Sequence, residues 1–110
     1  MTVKQLAEKC GFERKCLPEP NLKINSVYCC DLLSVVMGRA PAESAWVTVM
    51  NNVNAAAVAS LAEISVIVLA DSVTPDNIML QKAEQNKINI ISSNTDIFST
   101  ALKIHEAVKV

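Results

Sequence analysis

The sequence predicts an α/β fold: a small, mostly parallel sheet with helices on both faces, in three layers. Three observations carry that reading. Ile64-Ser-Val-Ile-Val-Leu-Ala70 is a near-continuous apolar run, the pattern of a strand covered on both sides. Asp71-Ser-Val-Thr-Pro75 stops that strand and opens a helix. Ile88-Asn-Ile-Ile91 followed by Ser92-Ser-Asn-Thr-Asp96 then repeats the order of strand, polar hinge and helix cap. Strands alternating with helices join in parallel through right-handed crossovers.

Taken in order, Thr2 caps a helix through about Lys9, with Val3, Leu6 and Ala7 on one face and Gly11 ending it. Phe12–Leu22 reads as connecting structure, because Pro18 and Pro20 bar a helix. A first strand, about Ile24–Cys29, leads to a helix from Asp31 to about Met37 that Gly38 closes. Pro41 marks the loop after it. Trp46-Val-Thr-Val-Met50 has the β-branched content of a strand, and Asn51–Asn54 caps a helix to about Glu63. After the third strand, Thr74 is placed as N-cap, Pro75 at the first helical position and Asp76 near the positive end of the dipole. A last helix runs from the Ser92–Asp96 cap to about Glu106. The chain is thus read as a single domain, 1–110, with residues 1–23 as helical prelude and connector before an α/β core over 24–107.

Composition narrows the classes of function. Net charge is −1, so no long-range field draws the chain to nucleic acid or to an anionic membrane. Apolar residues make up 51% and charged residues 19%, an apolar surplus that a subunit interface would absorb. The stretch from Ala45 to Ala62 holds no charge, but Asn51, Asn52 and Asn54 interrupt it where unpaired amides in lipid would be costly. It reads as a buried strand and helix, not a span. The opening Met-Thr-Val-Lys-Gln-Leu-Ala-Glu has no apolar signal region, and a cytoplasmic location is expected.

The residues that announce catalysis are few. Gly11 and Gly38 are the only two glycines, far apart, which removes a Walker A loop, a dinucleotide fingerprint and a glycine-rich kinase loop. Of the four cysteines, Cys10, Cys16, Cys29 and Cys30, none forms a Cys-x-x-Cys pair, and Cys29 and Cys30 point to opposite faces of an extended strand. They are expected to be reduced, largely buried thiols, and no metal is implied. His105, the one histidine, lies near a helix face formed by Phe98, Ala101 and Leu102 and reads as a boundary residue. Met37, Met50 and Met79 read as core. No catalytic residue and no cofactor are assigned.

One constellation points to a ligand. In a parallel sheet the carboxyl ends of the strands share one edge, and ligands favour the crevice there. That edge gathers Asn51, Asn52 and Asn54, then Asp71, Ser72 and Thr74, then Ser92, Ser93 and Asn94. Each group stands at a helix N-terminus, where free amides and the dipole welcome an anion. Caps and turns demand the same residue types, so capping alone is the competing reading.

Val27-Tyr-Cys-Cys-Asp-Leu-Leu-Ser-Val-Val-Met37, Ala45-Trp-Val-Thr-Val-Met50, Thr74-Pro-Asp-Asn-Ile78 with Ala83-Glu84, and Ile88-Asn-Ile-Ile-Ser-Ser93 with Thr95-Asp-Ile-Phe98 carry a resemblance. Together, over residues 24–107, they resemble the DRTGG domain, and the same fold resembles the N-terminal domain of HPr kinase/phosphorylase and, more remotely, that of Mur ligases. Asn51-Asn52 stands where the family often has Asp-Arg, and Leu69-Ala70-Asp71 where it has Thr-Gly-Gly. The kinase chemistry of the first relative belongs to a separate domain with a phosphate-binding loop, so the resemblance implies no kinase activity here. It implies a regulatory or interaction module, accessory to a larger enzyme or signalling system, since such domains occur beside CBS or enzymatic domains. A small-ligand sensor for a nucleotide or other anion is the alternative.

A homodimer is also expected. Between Ser44 and Ala70 the only charged residue is Glu63, and a domain this small has limited interior for so much apolar surface. The alanine-rich helix, through Ala56 and Ala59, is the first candidate for the contact. Burial of that helix inside one subunit is the competing expectation.

Overall fold

The computed structural model describes residues 1–109 and holds five strands in one sheet, with helices on both sides. Helix α1 (Val3–Cys10) starts in a capping box: the Thr2 hydroxyl accepts from the Gln5 amide while the Gln5 side chain accepts from the Thr2 amide at 3.0 Å. Gly11 ends it at φ 68°, a left-handed conformation that suits glycine. Val3, Leu6 and Ala7 form its buried stripe.

The segment after it is not merely connecting. Glu13–Cys16 forms β1, antiparallel to the strand β5 (Ile90–Ser92). Only Cys16 of its four residues is buried, so no apolar pattern marks it. The predicted units then follow: β2 (Ser26–Cys29), α2 (Leu33–Arg39), β3 (Ser44–Thr48), α3 (Val53–Leu61), β4 (Val66–Leu69), α4 (Asn77–Asn86), β5 and α5 (Ile97–Lys109). Gly38 lies within α2, and Ala40 ends that helix. Asp76, not Thr74, is the N-cap of α4: its carboxylate accepts from the Met79 amide at 2.6 Å, and Pro75 stands before the cap. A charged carboxylate nearer the helix competes better for the free amides.

Strand order is β1-β5-β4-β3-β2, and β2 through β5 are all parallel. Each new strand is added on the same side of the last, so three right-handed crossovers lay α2, α3 and α4 on one face. There Trp46, Ile67, Leu69 and Ile90 meet Val36, Ala55, Ala59, Met79 and Ala83. Helices α1 and α5 cover the other face, where Val47, Val66, Val68 and Ile91 meet Leu6, Ile24 and Ile104. The strands alternate between two cores, which is why their sequence is apolar throughout.

Several side chains fall elsewhere than the pattern predicts. Helix α3 sits between α2 and α4, and Ala56 and Ala59 retain no exposed surface. Their small size lets helices approach within the subunit, so they are not available to a second copy. Met37 is exposed, whereas Met79 is buried as predicted. On α5 the buried residues are Thr100, Ile104 and Ala107, while Phe98 is 74% exposed and Leu102 and His105 also face solvent. Among the described residues no helix is long and apolar enough to cross a membrane, and no three metal-ligating side chains converge.

Candidate functional site

The chain leaves β4 towards one face of the sheet and β5 towards the other, because α4 and α5 lie in different layers. Neighbouring loops that diverge in this way open a crevice at the carboxyl ends of their strands. A cleft of about 240 Å³ occupies that place. Ser72, Val73 and Thr74 line it from the β4 loop, and Ser92, Ser93 and Asn94 from the β5 loop. Gly11, Phe12, Glu13 and Lys15 close it from the start of β1, with Cys10 and Lys103 at its side. Antiparallel pairing of Glu13 with Ser92 brings the β1 residues there.

Five of the nine predicted ligand residues therefore meet at one cleft: Ser72, Thr74, Ser92, Ser93 and Asn94. The other four do not line it. Asn51 locks two loops together, its amide donating to the Thr74 carbonyl at 2.8 Å while its own carbonyl accepts from the Asp76 amide at 3.2 Å. Asn52 is the N-cap of α3, accepting from the amides of Asn54 and Ala55 at 3.0 and 3.3 Å. Asn54 is in the first turn it caps. Asp71 stands on the loop after β4 with its amide bonded to the Thr95 carbonyl at 2.8 Å.

The three helix N-termini at this edge are satisfied from within. Asn52 caps α3, Asp76 caps α4, and Asp96 accepts from the Ser99 amide at 2.7 Å at the start of α5. Those bonds from Ser99, first its amide and then its hydroxyl, hold the Asp96 carboxyl below the ordinary aspartate range. Two carboxylates already occupy positive dipole ends. An anion in the cleft would instead meet side-chain cations that sequence reasoning did not single out. Lys15 is half-buried and lies 2.7 Å from Glu13 Oε1, and the Lys103 ammonium stands 5.9 Å from the Phe12 ring centroid.

The floor of the cleft is stiffened by hydroxyls. Ser93 Oγ lies 2.8 Å from Thr100 Oγ1 and 3.0 Å from Thr95 Oγ1, and the two threonine oxygens are 2.8 Å apart. The Ser93 carbonyl so held accepts from the Ser72 amide at 2.9 Å. Asp71 and Ser72 both adopt left-handed backbone, at φ 57° and 58°. Glycine takes that conformation without steric cost.

All four cysteines are free thiols, but they are not uniformly buried: Cys16 is buried, Cys10 and Cys30 are half-buried, and Cys29 is exposed. Burial pushes the Cys16 thiol up to about 12, helped by its hydrogen bond to Glu84 Oε2 at 3.2 Å and by that carboxylate's charge. Desolvation also raises Cys29, with Asp31 and Cys30 adding to it. Desolvation raises Cys10 against the opposing pull of Lys103 and Lys9. Of Cys10, Cys16 and Cys29, none is an activated nucleophile at neutral pH.

No curated protein matches the chain by sequence. Among solved structures, its fold is similar to the CBS and DRTGG domains of the regulatory region of Clostridium perfringens pyrophosphatase, complexed with activator, diadenosine tetraphosphate. The TM-score is 0.73 at 14% identity, over 94% of this chain and 45% of the other, so the chain spans less than half of that neighbour's length. The model of the DRTGG domain family matches residues 28–107, from β2 to the last turns of α5. With most of its length accounted for by that match, the chain belongs to the DRTGG domain family.

Proposed function

We propose that this chain is a cytoplasmic regulatory module, without catalysis of its own, that acts as a homodimer and as an accessory to a larger enzyme or signalling system. The observation that carries the reading is the family match across residues 28–107. A DRTGG domain lies in the regulatory region of the neighbouring pyrophosphatase, and that setting supports the accessory role. Purified chain should neither hydrolyse ATP nor phosphorylate HPr. Activity that persists through successive purification steps and scales with the protein would overturn the non-catalytic reading.

The cleft favours a second reading, a sensor for a small anionic ligand. Its support is the convergence of Lys15 and Lys103 with Ser72, Thr74, Ser92, Ser93 and Asn94 at the point where the β4 and β5 loops part. Thermal-shift measurements with inorganic phosphate, nucleotides and UDP-sugars test it. A ligand at one hundred times its dissociation constant adds about 2.7 kcal/mol of stability. The stabilisation should shrink in Lys103→Ala, and no shift with any of these probes would leave the polar residues as caps and turns alone.

A further inference from the structure

The side chains around the cleft differ in what they already touch. Ser93 is engaged inward by Thr95 and Thr100, and Lys15 by Glu13 at 2.7 Å. Among the described residues, the hydroxyls of Ser72, Thr74 and Ser92, the Asn94 amide and the Lys103 ammonium make no side-chain hydrogen bond or ion pair. Ser92 is the telling one. It is 7% exposed on β5, between β1 and β4, and the surface it keeps opens into the cleft that it lines. No fully enclosed side-chain oxygen of the described residues lacks a partner, so the Ser92 hydroxyl is reached from the cleft. A nearly buried hydroxyl without a protein partner gains from any ligand group that bonds it.

The surroundings narrow that group. Glu13 is the cross-strand partner of Ser92, and such partners present their side chains on the same face. Its carboxylate accepts from donors beside Ser92 and repels a second anion there. Set against Lys15 and Lys103, it leaves the lining a single positive charge, which suits one phosphate group and not a polyphosphate. Phe12 is the one aromatic residue of the lining. It is 7% exposed, with the Lys103 ammonium 5.9 Å from its ring centroid, so no open ring face is offered for a base to stack on. At about 240 Å³ the cleft also falls below the roughly 300–1,000 Å³ of sites for drug-sized ligands.

From this we infer that the cleft takes a small phosphorylated polyol, such as a sugar phosphate. Its phosphate meets Lys103, and its hydroxyls donate to Glu13 and bond Ser92. The inference rests on the anionic-ligand reading above and gives that site a ligand class.

Calorimetric titration of the full chain tests it, with the phosphates of ribose and glucose, the free sugars, inorganic phosphate and ATP. The sugar phosphates should bind about tenfold more tightly than inorganic phosphate or ATP, and the free sugars should not bind detectably. Ser92→Ala should weaken sugar phosphate about tenfold and leave inorganic phosphate unchanged, whereas Lys103→Ala should weaken both. Glu13→Gln should raise affinity for a sugar bisphosphate. The comparison of probes on the wild-type chain decides the matter even if a variant does not fold. Inorganic phosphate or ATP binding as tightly as the sugar phosphates overturns the ligand class but leaves the anion reading standing, as does a Ser92→Ala chain with unaltered preference. Free sugars binding as tightly as their phosphates, or no binding of any probe, overturns both.

Discussion

At one margin of the sheet β1 presents Glu13, Arg14 and Lys15; at the other β2 presents Ser26, Val27, Tyr28 and Cys29. The charged edge is also the better fastened. Cys16 bonds Glu84 on α4, Arg14 reaches Glu8 on α1 at 3.2 Å, and the buried Asn89 side chain grips the following connector through the Glu19 amide and carbonyl. Just ahead of β2 the Ile24 amide donates to the Met1 carbonyl at 2.8 Å, and along the strand and just past its end the bonds come from the inner side. Trp46 Nε1 donates to the Cys30 carbonyl at 2.8 Å, and Asp31 accepts from the Thr48 hydroxyl at 2.6 Å and the Val49 amide at 3.1 Å. One edge is guarded by charge, and the other is uncharged and fastened from the start of the chain and from its inner neighbour.

Breaking the inner fastening of β2 should have the largest effect. Trp46 is fully buried, so Trp46→Ala should cost roughly 3–5 kcal/mol in urea unfolding. Trp46→Phe keeps most of the packing and loses the bond to Cys30, so a much smaller loss is expected. Equal losses in the two variants would show that this bond, more than the ring's volume, holds the β2 margin. On the β1 side, Asn89→Ala leaves Glu19 and the Ser65 carbonyl without their partner. About 2 kcal/mol should be lost, with earlier proteolysis between Leu17 and Leu22. An unchanged digestion pattern would mean that the connector is held by other contacts.

The smallest effect is on reactivity, not stability. At pH 8 an alkylating reagent should modify the exposed Cys29 well before the buried Cys16, whose raised thiol is almost wholly protonated there. Glu84→Gln removes the carboxylate that raises Cys16 and should speed its modification. Equal rates at Cys29 and Cys16 would show that burial and the neighbouring carboxylate do not protect Cys16.

What the sequence determined by itself is the local grammar of the fold. Ile64–Ala70 and Ile88–Ile91 announce strands because residues packed on both faces must be apolar at successive positions. Thr2, Asn52 and Gly11 mark helix ends because free amides and left-handed turns demand those residue types. The same logic found Ser72, Thr74, Ser92, Ser93 and Asn94, since in a parallel sheet the carboxyl end of each strand follows from chain direction. Tertiary structure alone decided the rest. Strand β1 exists because β5 offers it a partner, and its charged residues carry no signal of their own. Lys15, Lys103 and Phe12 reach the cleft from separate parts of the chain through that antiparallel pairing and the packing of α1 on α5. Ala56 and Ala59 were legible as small and apolar, but which surface meets them depends on α3 lying between α2 and α4. Local pattern records how much of a residue is covered, and only the assembled layers determine what covers it.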